Sequence, residues 1–104
     1  MVVLPQPTAF EWDGGNAEKN FHSHNVGWAE CEEVFFSERK LLLDDVLHSG
    51  AEARYILLGE TSGKRQIFIA FTIRDERVRI ISARPADKRE RTIYESIFKK
   101  VAKI

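Results

Sequence analysis

The 104-residue chain has a single cysteine, Cys31, so no disulfide can form within it, and a reducing compartment is the expected setting. Its longest unbroken apolar run, Ile67-Phe68-Ile69-Ala70-Phe71, is far shorter than the ~20 residues of a membrane span. The opening Met1-Val2-Val3-Leu4-Pro5 has neither the basic flank nor the long apolar core of a secretory signal. Three prolines and six glycines are too few for a collagen-like or disordered chain. Gly-rich phosphate loops, nucleophile elbows and Cys-x-x-Cys pairs do not occur. Against these absences stand 43% hydrophobic and 31% charged residues. That mixture predicts one cytoplasmic domain over residues 1–104, large enough to fold without staples.

Neither charge sign is in excess, with 16 Lys+Arg against 16 Asp+Glu. The neutral total hides a segregation. Residues 1–52 hold three bases (Lys19, Arg39, Lys40) and ten acids, whereas residues 53–104 hold thirteen bases and six acids. This distribution suggests a molecule with one basic region, unless the halves interleave in space and neutralise one another.

Periodicity orders the elements. Residues 9–12 alternate like a short strand. Asp13 is placed to cap a helix over 14–24, with Ala17, Phe21 and His24 on one face, and Asn25 suits a left-handed cap at its end. A second helix, 27–36, is expected to bury Trp28, Cys31, Val34 and Phe35. Residues 41–44 form a short strand or extended edge, followed by a polar loop over 45–52. Strands follow at 54–59, 66–74 and 77–84, the first two joined by a loop in which Gly63 supplies the hairpin's conformational freedom. Asp87 and Glu90 have capping-box spacing. Beyond them Ile93, Ile97, Val101 and Ile104 predict an amphipathic helix packed on the sheet, flanked by Tyr94 and Phe98. The fold class is α+β, an antiparallel meander over about 53–84 with N-terminal helices and one C-terminal helix.

A two-residue turn at Asp75-Glu76 sets Arg74 opposite Arg77, Thr72 opposite Arg79, Ala70 opposite Ile81 and Phe68 opposite Ala83. One face of that hairpin then carries Ile67, Ile69, Phe71, Ile73, Val78, Ile80 and Ser82. The other gathers Arg74, Arg77 and Arg79 around Thr72. Like charges across a ladder are unfavourable, so these arginines are either neutralised by Asp75, Glu76 or carboxylates of the N-terminal half, or held for an anion. Guanidinium offers bidentate donors to phosphate at any relevant pH, which makes the face a candidate phosphate cradle. Arg54 and Arg84, at strand ends, are further candidates. His48 in the polar loop, His24 and Glu52 are the candidate proton carriers. His22 and His24 point to different sides of a helix and with Cys31 make no convergent metal site, so neither metal nor other cofactor is expected.

These pieces together resemble the BrnT family of bacterial toxins. The resemblance rests on Phe10-Glu11-Trp12-Asp13, Ala17, Asn20, His24-x-Val26, Ala29 through Val34-Phe35, His48-Ser49, Glu52-x-Arg54-Tyr55 and Gly59-x-Thr61. It rests above all on Arg79-Ile80-Ile81-Ser82-Ala83-Arg84, followed by Glu90, Arg91 and Tyr94. Where the family usually has Lys-His-Gly this chain has Ser23-His24-Asn25, and Lys64-Arg65 replaces a usual Gly-Arg. The resemblance implies a fold similar to RelE-type ribonucleases and an endoribonuclease acting on RNA. It also implies a partner antitoxin with a DNA-binding domain, the two forming a hetero-oligomeric complex. An alternative is a non-catalytic partner of that antitoxin, acting only in transcriptional autoregulation.

Overall fold

The computed structural model describes residues 4–5, 8–13, 25–45 and 50–99. Among them the elements run α1 (Trp28–Phe35), β1 (Lys40–Asp44), β2 (Tyr55–Glu60), β3 (Gln66–Arg74), β4 (Arg77–Pro85) and α2 (Lys88–Phe98). The strands form one antiparallel sheet in sequential order, with 40–44 as a full edge strand beside β2. The helix expected over 14–24 lies outside the described residues. The strand expected over 9–12 is reduced to one parallel bridge between Phe10 and Val78. There the Glu11 amide donates to the Val78 carbonyl and the Val78 amide to the Ala9 carbonyl, both at 2.8 Å.

One side of the sheet is closed by α1. Strand alternation turns Leu57, Ile67, Ile69, Phe71, Val78, Ile80 and Ala83 to this side, where they are buried with Cys31, Val34 and Phe35 of the helix. Phe35 meets Phe71 edge-on with ring centroids 4.9 Å apart, a favoured aromatic geometry. Gly59 marks the closest approach. A Cβ there would come within 2.6 Å of the Val34 Cγ1, so the bare backbone of β2 lets the helix sit down. Trp28, expected inside, is 53% exposed, and Val26 just before α1 is buried in the core cluster instead. The Glu30 carboxylate accepts the Gly27 amide at the start of α1, and the Lys40 ammonium donates to the Phe35 carbonyl at its end.

The other side is covered only in part, by α2. Asp87 accepts the Glu90 amide at 2.8 Å and Glu90 accepts the Asp87 amide at 2.9 Å, the capping box its spacing announced. Tyr94 is buried with Leu58 and Ala86, and Leu41, Phe68 and Phe98 pack around them. The expected Ile93/Ile97 stripe is not the buried one. Both side chains are more than two-fifths exposed, while Tyr94 and Phe98 one position on make the contact. Polar ties set this rotation: Glu90 pairs with Arg84, Lys99 with Glu60, and the Tyr94 hydroxyl donates to the Arg39 carbonyl at 3.0 Å. Val101 and Ile104 lie outside the described residues.

The β3–β4 hairpin follows its expected register only from the turn to Phe71–Ile80. There Ile81 is an extra residue, and beyond it Ala70 faces Ser82, Ile69 faces Ala83 and Phe68 faces Arg84. The bulge corrects the expected pairings of Ala70 with Ile81 and Phe68 with Ala83. It turns Ala83 into the core and moves Ser82 to the opposite face, because one inserted residue inverts the alternation of everything past it. At the tight turn both Asp75 (φ 49°) and Glu76 (φ 63°) are left-handed, the conformation whose twist matches the strands, without a glycine. In the β2–β3 loop the left-handed residue is Lys64 (φ 68°) rather than Gly63.

Candidate nucleic-acid interface

The α2 side of the sheet is laid out in rows by the strand register. Leu41, Leu58, Phe68 and Arg84 form the first, under the helix. Leu43, Ile56, Ala70 and Ser82 form the second. Thr72 and Arg79 form the third, which Arg54 joins by continuation of the ladder through the bond from the Asp45 amide to the Arg54 carbonyl. Arg74 and Arg77 form the fourth, at the turn. Thr72 is buried among these charges, its hydroxyl donating to the Ala53 carbonyl at 2.8 Å, and so fastens the segment before β2 to β3.

The arginines expected on one face are there, and they are not bare. Arg79 donates from Nη1 to Glu11 at 2.8 Å and from Nη2 to Asp13 at 2.9 Å. Arg74 grips Glu52 with Nε at 2.7 Å and Nη2 at 3.1 Å. The hydrogen bond from Arg74 holds the Glu52 carboxyl below its ordinary range, with the Arg79 charge adding to the effect. Arg79 is in turn raised, chiefly by its bond to Asp13 and against the cost of desolvation. Arg77 is exposed and, among the described residues, has no ion-pair partner. Arg84 sits two rows away, bidentate to Glu90 at 2.7 and 2.8 Å and stacked 4.2 Å over the Phe68 ring. The structure therefore separates it from the other three.

Charge segregation along the chain is partly undone in space. Glu11, Asp13, Glu30 and Glu52 of the acidic half pair with Arg79, Arg65 and Arg74 of the basic half. At the β3–β4 turn the result is oriented ion pairs on Arg74 and Arg79 beside exposed Arg77, and Arg65 is held apart from them against Glu30 of α1. Glu11 and Asp13 were not singled out as site residues. Their signal was available: in an extended Phe10-Glu11-Trp12-Asp13 the two acids point to one side and the two rings to the other. The rings do face inward, Phe10 against Phe35 at 5.2 Å, and the Trp12 indole donates to Glu32 at 2.7 Å. The segment is thus pinned from both sides over Arg79. His24 and His48 lie outside the described residues. Buried Cys31, its thiol pushed up to about 12 by desolvation, belongs to the core and not to the site.

The family described as "Ribonuclease toxin, BrnT, of type II toxin-antitoxin system" matches residues 12–90 of the chain. This protein is a member of the BrnT family. The match runs from Trp12 through all four strands to the Glu90 of the capping box. The crystal structure of the Brucella abortus ribonuclease toxin BrnT is similar, with a TM-score of 0.57 and 21% identity. The similarity covers 78% of this chain and 99% of that one. No curated protein sequence matches the chain. Membership of the BrnT family implies an RNA substrate and an antitoxin partner. In this BrnT-family chain the Gly59-x-Thr61 stretch has a plain physical reason: Gly59 admits α1, and Thr61 is buried in the loop, bonded to the Arg65 amide at 3.2 Å.

Proposed function

We propose that the chain is an endoribonuclease that cuts RNA without a metal ion and acts in the cytoplasm. Its antitoxin carries a DNA-binding domain and joins it in a hetero-oligomeric complex. In the reaction the ribose 2′-oxygen attacks the adjacent phosphorus, the bond from phosphorus to the 5′-oxygen breaks, and a 2′,3′-cyclic phosphate and a 5′-hydroxyl result. One proton leaves the 2′-hydroxyl and one reaches the departing oxygen. The growing charge on the phosphate needs fixed cationic donors. The observation that carries the reading is the arrangement of Arg74, Arg77 and Arg79 at one end of a rigid hairpin.

Ion pairing does not close this face to RNA. The Arg74–Glu52 pair is solvent-exposed and contributes little to stability, so a phosphate can displace it at small cost. Arg79 also keeps N–H donors beyond the two that Glu11 and Asp13 take. Arg79 stabilises the phosphorane charge, Arg74 and Arg77 support it, and Arg54, on the Arg79 row, positions the strand. Arg84, tied to Glu90, enters only as a distant phosphate contact. His48 or His24 carries the protons, with Glu52, kept ionised by Arg74, as the carboxylate alternative. In a single-stranded RNA assay containing a chelator, Arg79→Ala is expected to lower cleavage at least ~100-fold, while loss of its bonds to Glu11 and Asp13 costs only about 1–2 kcal/mol and leaves the variant folded. Undiminished cleavage by a folded variant overturns the assignment.

The paired state of the arginines favours one second reading, a non-catalytic partner of the antitoxin that serves autoregulation alone. Expression without the antitoxin separates the two: growth arrest supports the nuclease, and normal growth supports the binding partner.

A further inference from the structure

Leu43 and Ile56, at the β1 end of the second row, and one flank of α2 together make an apolar surface that the nuclease reading does not use. Residues 95 and 99 of α2 reach Gln66 and Glu60, at the β2–β3 loop end of the sheet. Ile93 and Ile97 lie about 200° away from Glu95 and Lys99 around the helix, so this flank faces the opposite way, down the sheet toward Leu43, Ile56 and Ala70. Leu43 is 52% exposed, Ile93 43% and Ile97 44%, and Ile56 beside Leu43 is half-buried. Among the described residues Leu43, Ile93 and Ile97 are the large aliphatic side chains left exposed, and such groups gathered on one side of the sheet mark a contact surface.

Its borders are basic. Arg89, one turn before Ile93 on the same flank, and Arg77, beyond the Arg79 row, are exposed and have no carboxylate partner among the described residues. The geometry points to an acidic amphipathic segment of the antitoxin as the occupant: its apolar side chains lie on Ile93, Ile97 and Leu43, and its carboxylates meet Arg89 and Arg77. This inference rests on the toxin reading above and deepens it, because a segment seated there runs alongside Arg79 and shuts RNA off the arginine rows. Charge complementarity selects this occupant. A second copy of the chain would bring Arg89 against Arg89 or Arg77, and RNA bases have no aromatic platform on this surface to stack on.

The test uses the full chain with Ile93→Glu and Ile97→Glu together, and separately Arg89→Glu, against the purified cognate antitoxin. Affinity is expected to fall at least about 30-fold for the double variant and about 5–10-fold for Arg89→Glu, with the latter loss shrinking at high salt. The uncharged Ile93→Ser and Ile97→Ser double variant, which puts no carboxylate beside the arginine rows, is expected to cut RNA within about 2-fold of the parent but to escape inhibition by the antitoxin. Should either double variant unfold, Ile97→Ser and Leu43→Ser carry the same expectation at smaller size. Unchanged antitoxin affinity overturns the proposal. So does a parent chain that sediments as a dimer and a variant that sediments as a monomer, or a serine variant that loses RNA binding in step with antitoxin binding. If the parent cuts no RNA at all, the nuclease reading fails, and the titration still decides the docking surface.

Discussion

The two sides of this sheet solve opposite problems with the same strands. The α1 side is dry: Leu57, Ile67, Ile69, Phe71, Val78, Ile80 and Ala83 meet Cys31, Val34 and Phe35 with almost no exposed surface. The α2 side changes character along the strand, from Tyr94 packed on Leu58 and Phe68, through a row open only at Leu43, to arginines held by carboxylates. Burial alone specifies the first side. On the second, charge pairing does the orienting, since a guanidinium in water would otherwise sample many rotamers. Burial therefore concentrates on one face and paired charge on the other, and substitutions are expected to sort accordingly.

Phe71→Ala should show the largest effect, a loss of about 3–5 kcal/mol in denaturant unfolding, because the ring it removes is fully buried against Phe35 and Tyr55. A loss below about 1 kcal/mol would mean the α1 side is not the stabilising one. Cys31 offers a sharper probe of the same side. Its thiol is raised from 9.0 to about 12, so the folded state keeps the proton longer than the unfolded chain. The contribution is complete below about pH 9 and is lost as pH rises toward 12, some 3–4 kcal/mol if the whole shift is realised. Cys31→Ala should flatten the alkaline limb of a stability-versus-pH curve measured against the parent.

Arg77→Ala, on the polar side, should move stability by less than about 0.5 kcal/mol. It should weaken RNA binding a few-fold and lower the salt slope of binding by about one. A stability loss comparable to that of Phe71→Ala would erase the division between the faces.

Much of this architecture was legible in the residues, for reasons that are local. Period-two alternation from Arg54 onward, the Asp75-Glu76 turn and the Asp87/Glu90 capping box each act within a few residues. β3 spans the expected residues, and β4 and α2 start where their signals lie. The arginine side of the hairpin was visible for the same reason, since it follows from the turn through the first four pairs. The Ile81 bulge was not. Nothing in Ile80-Ile81-Ser82 distinguishes an inserted residue from regular strand, and it is packing of Ala83 beneath α1 that selects it. The rotation of α2 was misread because Ile93/Ile97 and Tyr94/Phe98 both repeat at helical spacing. Only the Arg39 carbonyl waiting for the Tyr94 hydroxyl, and the partners of Glu90 and Lys99, choose between them.

Local pattern was enough for the α+β class, the meander and the gathering of Arg74, Arg77 and Arg79, since each depends on neighbours in the chain or directly across a hairpin. Whether those arginines stand bare or paired depended on bringing Glu11 and Asp13 across 66–68 positions to Arg79. A contact of that span is set by the closure of the whole core, with Phe10 against Phe35 and Trp12 on Glu32, and no short stretch of residues encodes it.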